Sequence, residues 1–283
     1  MVLAFAASYF ALEAEINRRK LGFTPADLAL EKEGKRRKLM KLDPYTIVAV
    51  VAFAGILGAK IWHVIDTPTD RPTAETFRSF SEFFVWLRGG FAWFGGFVAG
   101  IATLLVIARR NGINMLTMLD ICSYPAAVGY AVGRIGCLIS GDGDYGRPTN
   151  LPWGMAFPNG LVPTTKTCVQ WGWPADCAVH PTPIYEFIAC VLIGWYIWRR
   201  GARAVEGSLA PGVVVGEFLI LFGISRFLVE FIRINPPFLF GMSNAQIAAL
   251  LTVLAGVVMV VVARGRFGRV APIQNVAVHP PKR

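Results

Sequence analysis

Histidine is scarce in this chain, three in 283 residues, and the five cysteines are too scattered to show the close Cys or His pairing of a metal site. The composition therefore predicts neither a metal nor a cofactor. Charge is thin as well, 16% of residues, with 18 acidic against 28 basic side chains. No polar stretch is long enough to fold alone as a soluble domain, and no internal repeat is visible. The first twelve residues lack the basic start and small-residue cleavage site of a signal peptide, so they read as an uncleaved helix.

What is present in abundance is apolar. The hydrophobic fraction is 54% and the mean hydropathy +0.51, beyond the usual range of soluble domains. Apolar runs cover 45–65, 91–108, 116–139, 184–198, 211–232 and 244–263, with 1–12 as a shorter seventh. Most approach the roughly 20 residues that a helix needs to cross a bilayer. The predicted fold is an all-α polytopic membrane protein, one domain over 1–283 with seven transmembrane helices.

The net charge of +10 does not point to nucleic acid, because most basic residues fall on alternate connections: 18–43, 109–114, 199–209 and 264–283. The positive-inside rule then places the N-terminus outside and the C-terminus in the cytoplasm. Residues 18–43 become a basic cytoplasmic segment, read either as an amphipathic surface helix or as a solvated linker. Residues 140–183 become an outward-facing polar cap, rich in proline and carrying Trp153, Trp171 and Trp173. Within it Cys168 and Cys177 are candidates for a disulfide on an oxidising face, although spacing alone leaves two free thiols open. In the third run, Gly96 and Gly100 form a small-xxx-small pair suited to close helix contact.

Three cations interrupt the runs: Lys60, Arg134 and Arg226. Each stands about five or six residues before the outer end of an outward-running span, roughly 8 to 9 Å below the edge. Burying one costs about 2.5 to 3.5 kcal/mol even on lenient insertion scales, so a partner is required. Lys60 can snorkel on its long stem. Arg226 has Glu230 and Arg233 at i+4 and i+7 on its own stripe, which allows an internal ion pair. Arg134 has no acid within a turn of its own helix. Two arginines beneath a polar cap suggest a site for a lipid phosphate, which a guanidinium fork binds bidentately.

The stretch "GRIGCLISGDGDYGRP" at 133–148 resembles the signature of the prolipoprotein diacylglyceryl transferase family. "LDICSYPAAVG" with Asp120, "HPTPIYE" from His180 to Glu186 and "SRFLVEFIR" from Ser225 to Arg233 support the resemblance, and "FAWFGGFVAG" aligns with the family's His-Gly-Gly segment. The resemblance implies a bacterial inner-membrane enzyme that moves the diacylglyceryl group of phosphatidylglycerol to the lipobox cysteine of a preprolipoprotein. It makes Arg134 and Arg226 the essential arginines, holding the phosphate as it leaves. Four family polar positions are changed: His to Phe94, Asn to Cys137, a second Asn to Ser140, and Tyr to Phe222. The family's acidic cap residue corresponds to Asp142 or Asp144. With the histidine gone, Glu230 is the first choice of proton acceptor, because it shares a stripe with Arg226; Asp142, Tyr145, His180 and Glu186 are the other candidates. The predicted site is therefore Arg134, Arg226 and Glu230 for catalysis, with Lys60, Asp142, Asp144, Tyr145, His180 and Glu186 around the substrate. Glu186 can pair with Arg134 or Lys60; His180 can also serve as a cap or packing residue, and Cys137 as a small buried one. The changed positions keep a second class open, a phospholipid-binding paralogue without catalysis, and a third, a transferase with another acceptor.

Overall fold

The computed structural model describes residues 2–21, 42–66, 78–88 and 93–267. Within them the regular structure is helical, with only isolated β-bridges beside it. The helices are α1 (Val2–Arg18), α2 (Pro44–Asp66), α3 (Phe80–Arg88), α4 (Trp93–Arg110), α5 (Met115–Ser140), α6 (Thr164–Gln170), α7 (Thr182–Val205), α8 (Val213–Glu230) and α9 (Asn244–Phe267). A helix stands at every one of the expected runs. Three of them, α2, α5 and α9, are both long and apolar enough to cross a membrane. Most of the basic segment 18–43, including the expected surface helix, lies outside the described residues.

The chain divides into two compact units, Lys20–Met118 and a second made of Met1–Arg19 with Leu119–Arg283. In the first unit α2 packs on α4 through glycines. A Cβ on Gly58 would come within 2.6 Å of the Gly95 carbonyl oxygen, and one on Gly96 within 3.0 Å of the Gly55 carbonyl oxygen. The sequence picks the Gly96–Gly100 pair; the structure moves the contact to Gly95 and Gly96. A Cβ on Gly100 would make only ordinary contact, 3.8 Å from Val51. The helix contact therefore follows a face one residue away from the small-xxx-small spacing. With no hydrophobic drive between helices in lipid, such close backbone approach is what lets dispersion hold them together.

In the second unit α8 and α9 meet in the same manner, Gly216 and Gly223 of one facing Gly256 and Val253 of the other. α1 lies against α5 and α7. Ser8 donates to the Pro125 carbonyl at 3.3 Å, and Arg18 donates to the Trp198 carbonyl at 2.7 Å with its guanidinium over that indole. The start of α8 is held from outside its own sequence. Its first residues offer no side-chain cap, since Gly212 occupies the N-cap with φ +96°, and the buried carboxylate of Asp120 on α5 accepts from Gly212 N and Val215 N, both at 2.8 Å. That satisfies two of the orphan donors at the helix start with a negative charge, where the helix dipole favours one. Outward faces of α2 and α9 carry Phe53, Ile56, Leu57, Leu251 and Leu254 exposed, as fits contact with hydrocarbon.

The segment 140–183 folds around a small core of its own. Tyr145 stacks on Phe157 with ring centroids 5.2 Å apart, and Cys168, Cys177, Val179 and Trp173 complete the core. Cys168 and Cys177 are joined by a disulfide across Cα atoms 5.8 Å apart. Inside the segment Gly146 N donates to the His180 carbonyl at 2.9 Å, and the segment is sewn to the residues after α8 by Arg147 N, which donates to the Ile232 carbonyl at 2.9 Å. Position 146 must be glycine here, because a Cβ would lie 2.4 Å from the Ile232 oxygen.

Candidate functional site: a closed ring of arginines and carboxylates

α5 carries Arg134 near its C-terminal end, α7 carries Glu186 in its first turns, and α8 ends on Arg226 and Glu230 with Arg233 just beyond. The stitching of Gly146 and Arg147 brings Asp144 to the same place. These six side chains close a ring of alternating charge. Arg134 donates through Nη1 to Asp144 Oδ2 and sets Nε 2.6 Å from Glu186 Oε2. Glu186 Oε1 accepts from Arg226 Nη1 at 3.0 Å, and Arg226 Nη2 lies 2.8 Å from Glu230 Oε2. Arg233 completes the circuit, with Nε 3.7 Å from Glu230 Oε2 and Nη2 donating to Asp144 Oδ1. Three guanidiniums face three carboxylates, so the formal charge of the ring is zero.

The two glutamates are held differently. Glu230 Oε1 also accepts from Ser243 Oγ at 2.7 Å and from Asn235 Nδ2, so neutral groups anchor it. Among the described residues Glu186 is held only by the two arginines. Its Oε2 contact with Arg134 is close in distance, yet neither that oxygen nor Arg134 Nε has an aligned hydrogen-bond partner, as is also true of Glu230 Oε2 and Arg233 Nε. The link is one of charge rather than geometry. Both glutamates are buried, at 2% and 5% exposure, and removing one partner of a buried pair leaves an uncompensated charge that costs about 3–5 kcal/mol.

The structure gathers Arg134, Arg226, Glu230, Asp144 and Glu186 from the predicted set. Between the two candidates for the acidic position, Asp144 binds the arginines, whereas Asp142 turns back and accepts from the Asp144 amide at 3.2 Å. Glu186 pairs with both arginines. Tyr145 lies in the core of segment 140–183 rather than in the ring. His180 faces Tyr185, whose hydroxyl is 3.2 Å from Nδ1 and also accepts from Trp153 Nε1 at 2.8 Å; burial holds this imidazole below its ordinary value. Lys60 belongs to the other unit, where Nζ donates to the Trp86 carbonyl at 2.7 Å and lies over the indole at 3.9 Å. Phe94 is the second residue of α4, but its side chain is outside the described residues. Phe222 packs edge-on to Tyr130 at 4.9 Å and stacks on Phe218. Cys137 Sγ is 3.7 Å from Arg134 Nη1. Cys137, Asp142 and Asp144 present ligand atoms within 4.8 Å of one another, but two guanidiniums already meet the charge of Asp144.

Two members of the site were not among the predicted site residues. Tyr130 accepts from Arg134 Nη2 and places its ring 4.7 Å from that guanidinium. Its signal was its position four residues before Arg134, on the same helix face. Arg233 was visible on the Arg226 stripe without being assigned to the site.

Burial would push the Asp144 carboxyl up, but Arg233 and then Arg134 outweigh it and hold the group below its ordinary value. With the folded value below the unfolded one, near 3.9, these ion pairs contribute fully above about pH 4 and are lost as pH falls through the lower folded value. Thermal unfolding in detergent, compared between the native chain and Asp144→Asn, is expected to show a stability gap that is constant above about pH 5 and narrows toward pH 3. A gap that widens on acidification would contradict the pairing.

The chain that carries this cluster has sequence relatives. Residues 19–262 match the family described as prolipoprotein diacylglyceryl transferase. A protein of Clostridium tetani is 29% identical over 84% of this chain and 87% of its own length, and one of Geobacter sulfurreducens is 29% identical over 94% and 90%. One of Cereibacter sphaeroides is 33% identical over 64% of each chain. All three are named phosphatidylglycerol–prolipoprotein diacylglyceryl transferase. The match takes in all six residues of the ring, and by it the chain belongs to the prolipoprotein diacylglyceryl transferase family.

Proposed function

We propose that this protein transfers the diacylglyceryl group of phosphatidylglycerol to the lipobox cysteine thiol of preprolipoproteins. It does so in the bacterial cytoplasmic membrane, spanning it seven times with the N-terminus outside and segment 140–183 over the outer leaflet. The observation that carries this reading is the convergence of Arg134 and Arg226, from separate helices, on the two oxygens of one carboxylate. A pair of guanidiniums that share one small anion is a seat for a phosphodiester.

The substrate supplies the nucleophile. Its thiolate attacks the glycerol carbon of the diacylglyceryl group, an S–C bond forms, and the C–O bond to phosphate breaks with its electron pair leaving on oxygen. The products are a thioether and glycerol phosphate. Arg134 and Arg226 hold the phosphate in line and stabilise the charge that develops on it, as preorganised donors in a water-poor site do. Asp144 and Glu230 orient these arginines, and Arg233 ties the two carboxylates together. Asp142, Tyr145 and His180 shape the body above the headgroup.

Purified protein supplied with phosphatidylglycerol labelled in its acyl chains should label a lipobox peptide at its cysteine and leave the Cys→Ser peptide unlabelled. A protein that binds the lipid yet labels no peptide would instead be the phospholipid-binding paralogue that Cys137 and Phe222 leave open.

A further inference from the structure

The ring poses a problem of charge. Its three arginines are already matched by three carboxylates, and a phosphodiester brings a fourth negative charge into a poorly solvated site, where unpaired charge is costly. One carboxylate must yield. Asp144 is fixed by aligned bonds from two arginines, and its own carbonyl accepts from Thr182 and Arg233. Glu230 is pinned by Ser243 and Asn235 as well as by charge. Glu186 alone depends on the two arginines that the phosphate needs: Oε2 of each glutamate lacks an aligned donor, but Glu230 keeps neutral donors on its Oε1, whereas among the described residues the one hydrogen bond to Glu186 comes from Arg226. It also spans both arginines, with one oxygen toward each, as two oxygens of a phosphate would.

We infer that Glu186 is a resident counter-anion that keeps Arg134 and Arg226 apart at phosphate spacing, gives way to the lipid phosphate, and then accepts the proton of the substrate thiol. The inference rests on the function proposed above. Displaced, the carboxylate loses both counter-cations within reach of the reacting groups, which favours its protonation. The thiol proton passes to Glu186, the thiolate forms the S–C bond, and the phosphate leaves with one more negative charge. A neutral Glu186 leaves the ring with three cations and two carboxylates, an excess of one positive charge that matches the charge gained by the leaving group. Glu186 then releases its proton to water and returns to the arginines when glycerol phosphate departs.

The test is Glu186→Gln in the full-length protein, which keeps the shape and removes the charge. Phosphatidylglycerol affinity, read by titration of nanodisc-reconstituted or detergent-solubilised protein, is expected to tighten about tenfold or more, because no anion competes for the arginines. Turnover is expected to fall about a hundredfold or more with the loss of the acceptor. Glu230→Gln removes the same charge from the ring, and if charge alone mattered it would tighten binding equally; the placement of Glu186 predicts little tightening there. A side chain that merely supports the fold would lose affinity and turnover together. Unchanged or weaker binding in a folded Glu186→Gln protein overturns the displacement, and tighter binding with full turnover overturns the proton transfer. If that variant does not fold, Glu186→Asp draws the carboxylate back from the arginines by one methylene, and unchanged affinity there overturns the displacement. Should the native protein transfer nothing while Glu186→Gln still binds more tightly, the proposed function fails and the counter-anion stands.

Discussion

Arg134→Lys and Arg226→Lys are each expected to lower transfer about 10²- to 10³-fold in protein that remains folded and still binds phosphatidylglycerol. Lysine keeps the charge but not the fork, and both arginines use more than one nitrogen. Arg134 spends Nη1 on Asp144, Nη2 on Tyr130 and Nε toward Glu186, and Arg226 spends Nη1 on Glu186 and Nη2 on Glu230. A single ammonium cannot hold two carboxylates and face a phosphate between them. The loss should fall on turnover more than on binding, since the contact strengthens as the leaving phosphate gains charge. Steady-state transfer kinetics beside lipid titration reads both quantities. Affinity loss alone would fit a binding paralogue, and near-native transfer by Arg134→Lys would remove the clamp.

The second large effect is on stability and arises far along α5 from the ring. Asp120→Ala strips the N-terminus of α8 of its external cap, leaving the buried amides of Gly212 and Val215 without acceptors. Each such donor costs about 1–3 kcal/mol, so the variant is expected to lose about 2–6 kcal/mol, a large part of a typical folding stability. Asp120→Asn keeps one acceptor oxygen and should lose roughly half as much. Thermal unfolding in detergent distinguishes the two. Equal stability of Asp120→Ala and the native chain would show that the cap contributes nothing. Because Arg226 and Glu230 ride on α8, partial loss of the cap should also depress transfer without altering which lipid is used.

Which parts of this were legible in the sequence follows from the range of each interaction. Helix positions were, because an apolar run near bilayer length declares itself, and α2, α4, α5, α8 and α9 begin within two residues of the runs that predict them. α1 and α7 run on into charged residues, since Glu15 and Arg18 pair with each other and Arg200 pairs with Glu217 of α8; hydropathy alone stops too soon there. The Arg226 stripe was legible from helical spacing. Pairings across elements were not. The choice of Asp144 over Asp142 depends on a loop that turns through Gly141 and Gly143 at positive φ, and one residue of register reverses which carboxylate faces the arginines. Glu186 was open between Arg134 and Lys60 because two helices and a fold separate the candidates. The Cys168–Cys177 bond, similarly, needs the approach of two segments that spacing alone does not fix.

If the arginine ring works on the phosphate as a leaving group, the fate of the phosphate reports it. With phosphatidylglycerol labelled in the headgroup glycerol and in phosphorus, and a lipobox peptide as acceptor, each thioether formed should release one intact glycerol phosphate carrying both labels. Release of phosphate without its glycerol, appearance of phosphatidic acid, or thioether formation with no soluble phosphate ester would contradict it.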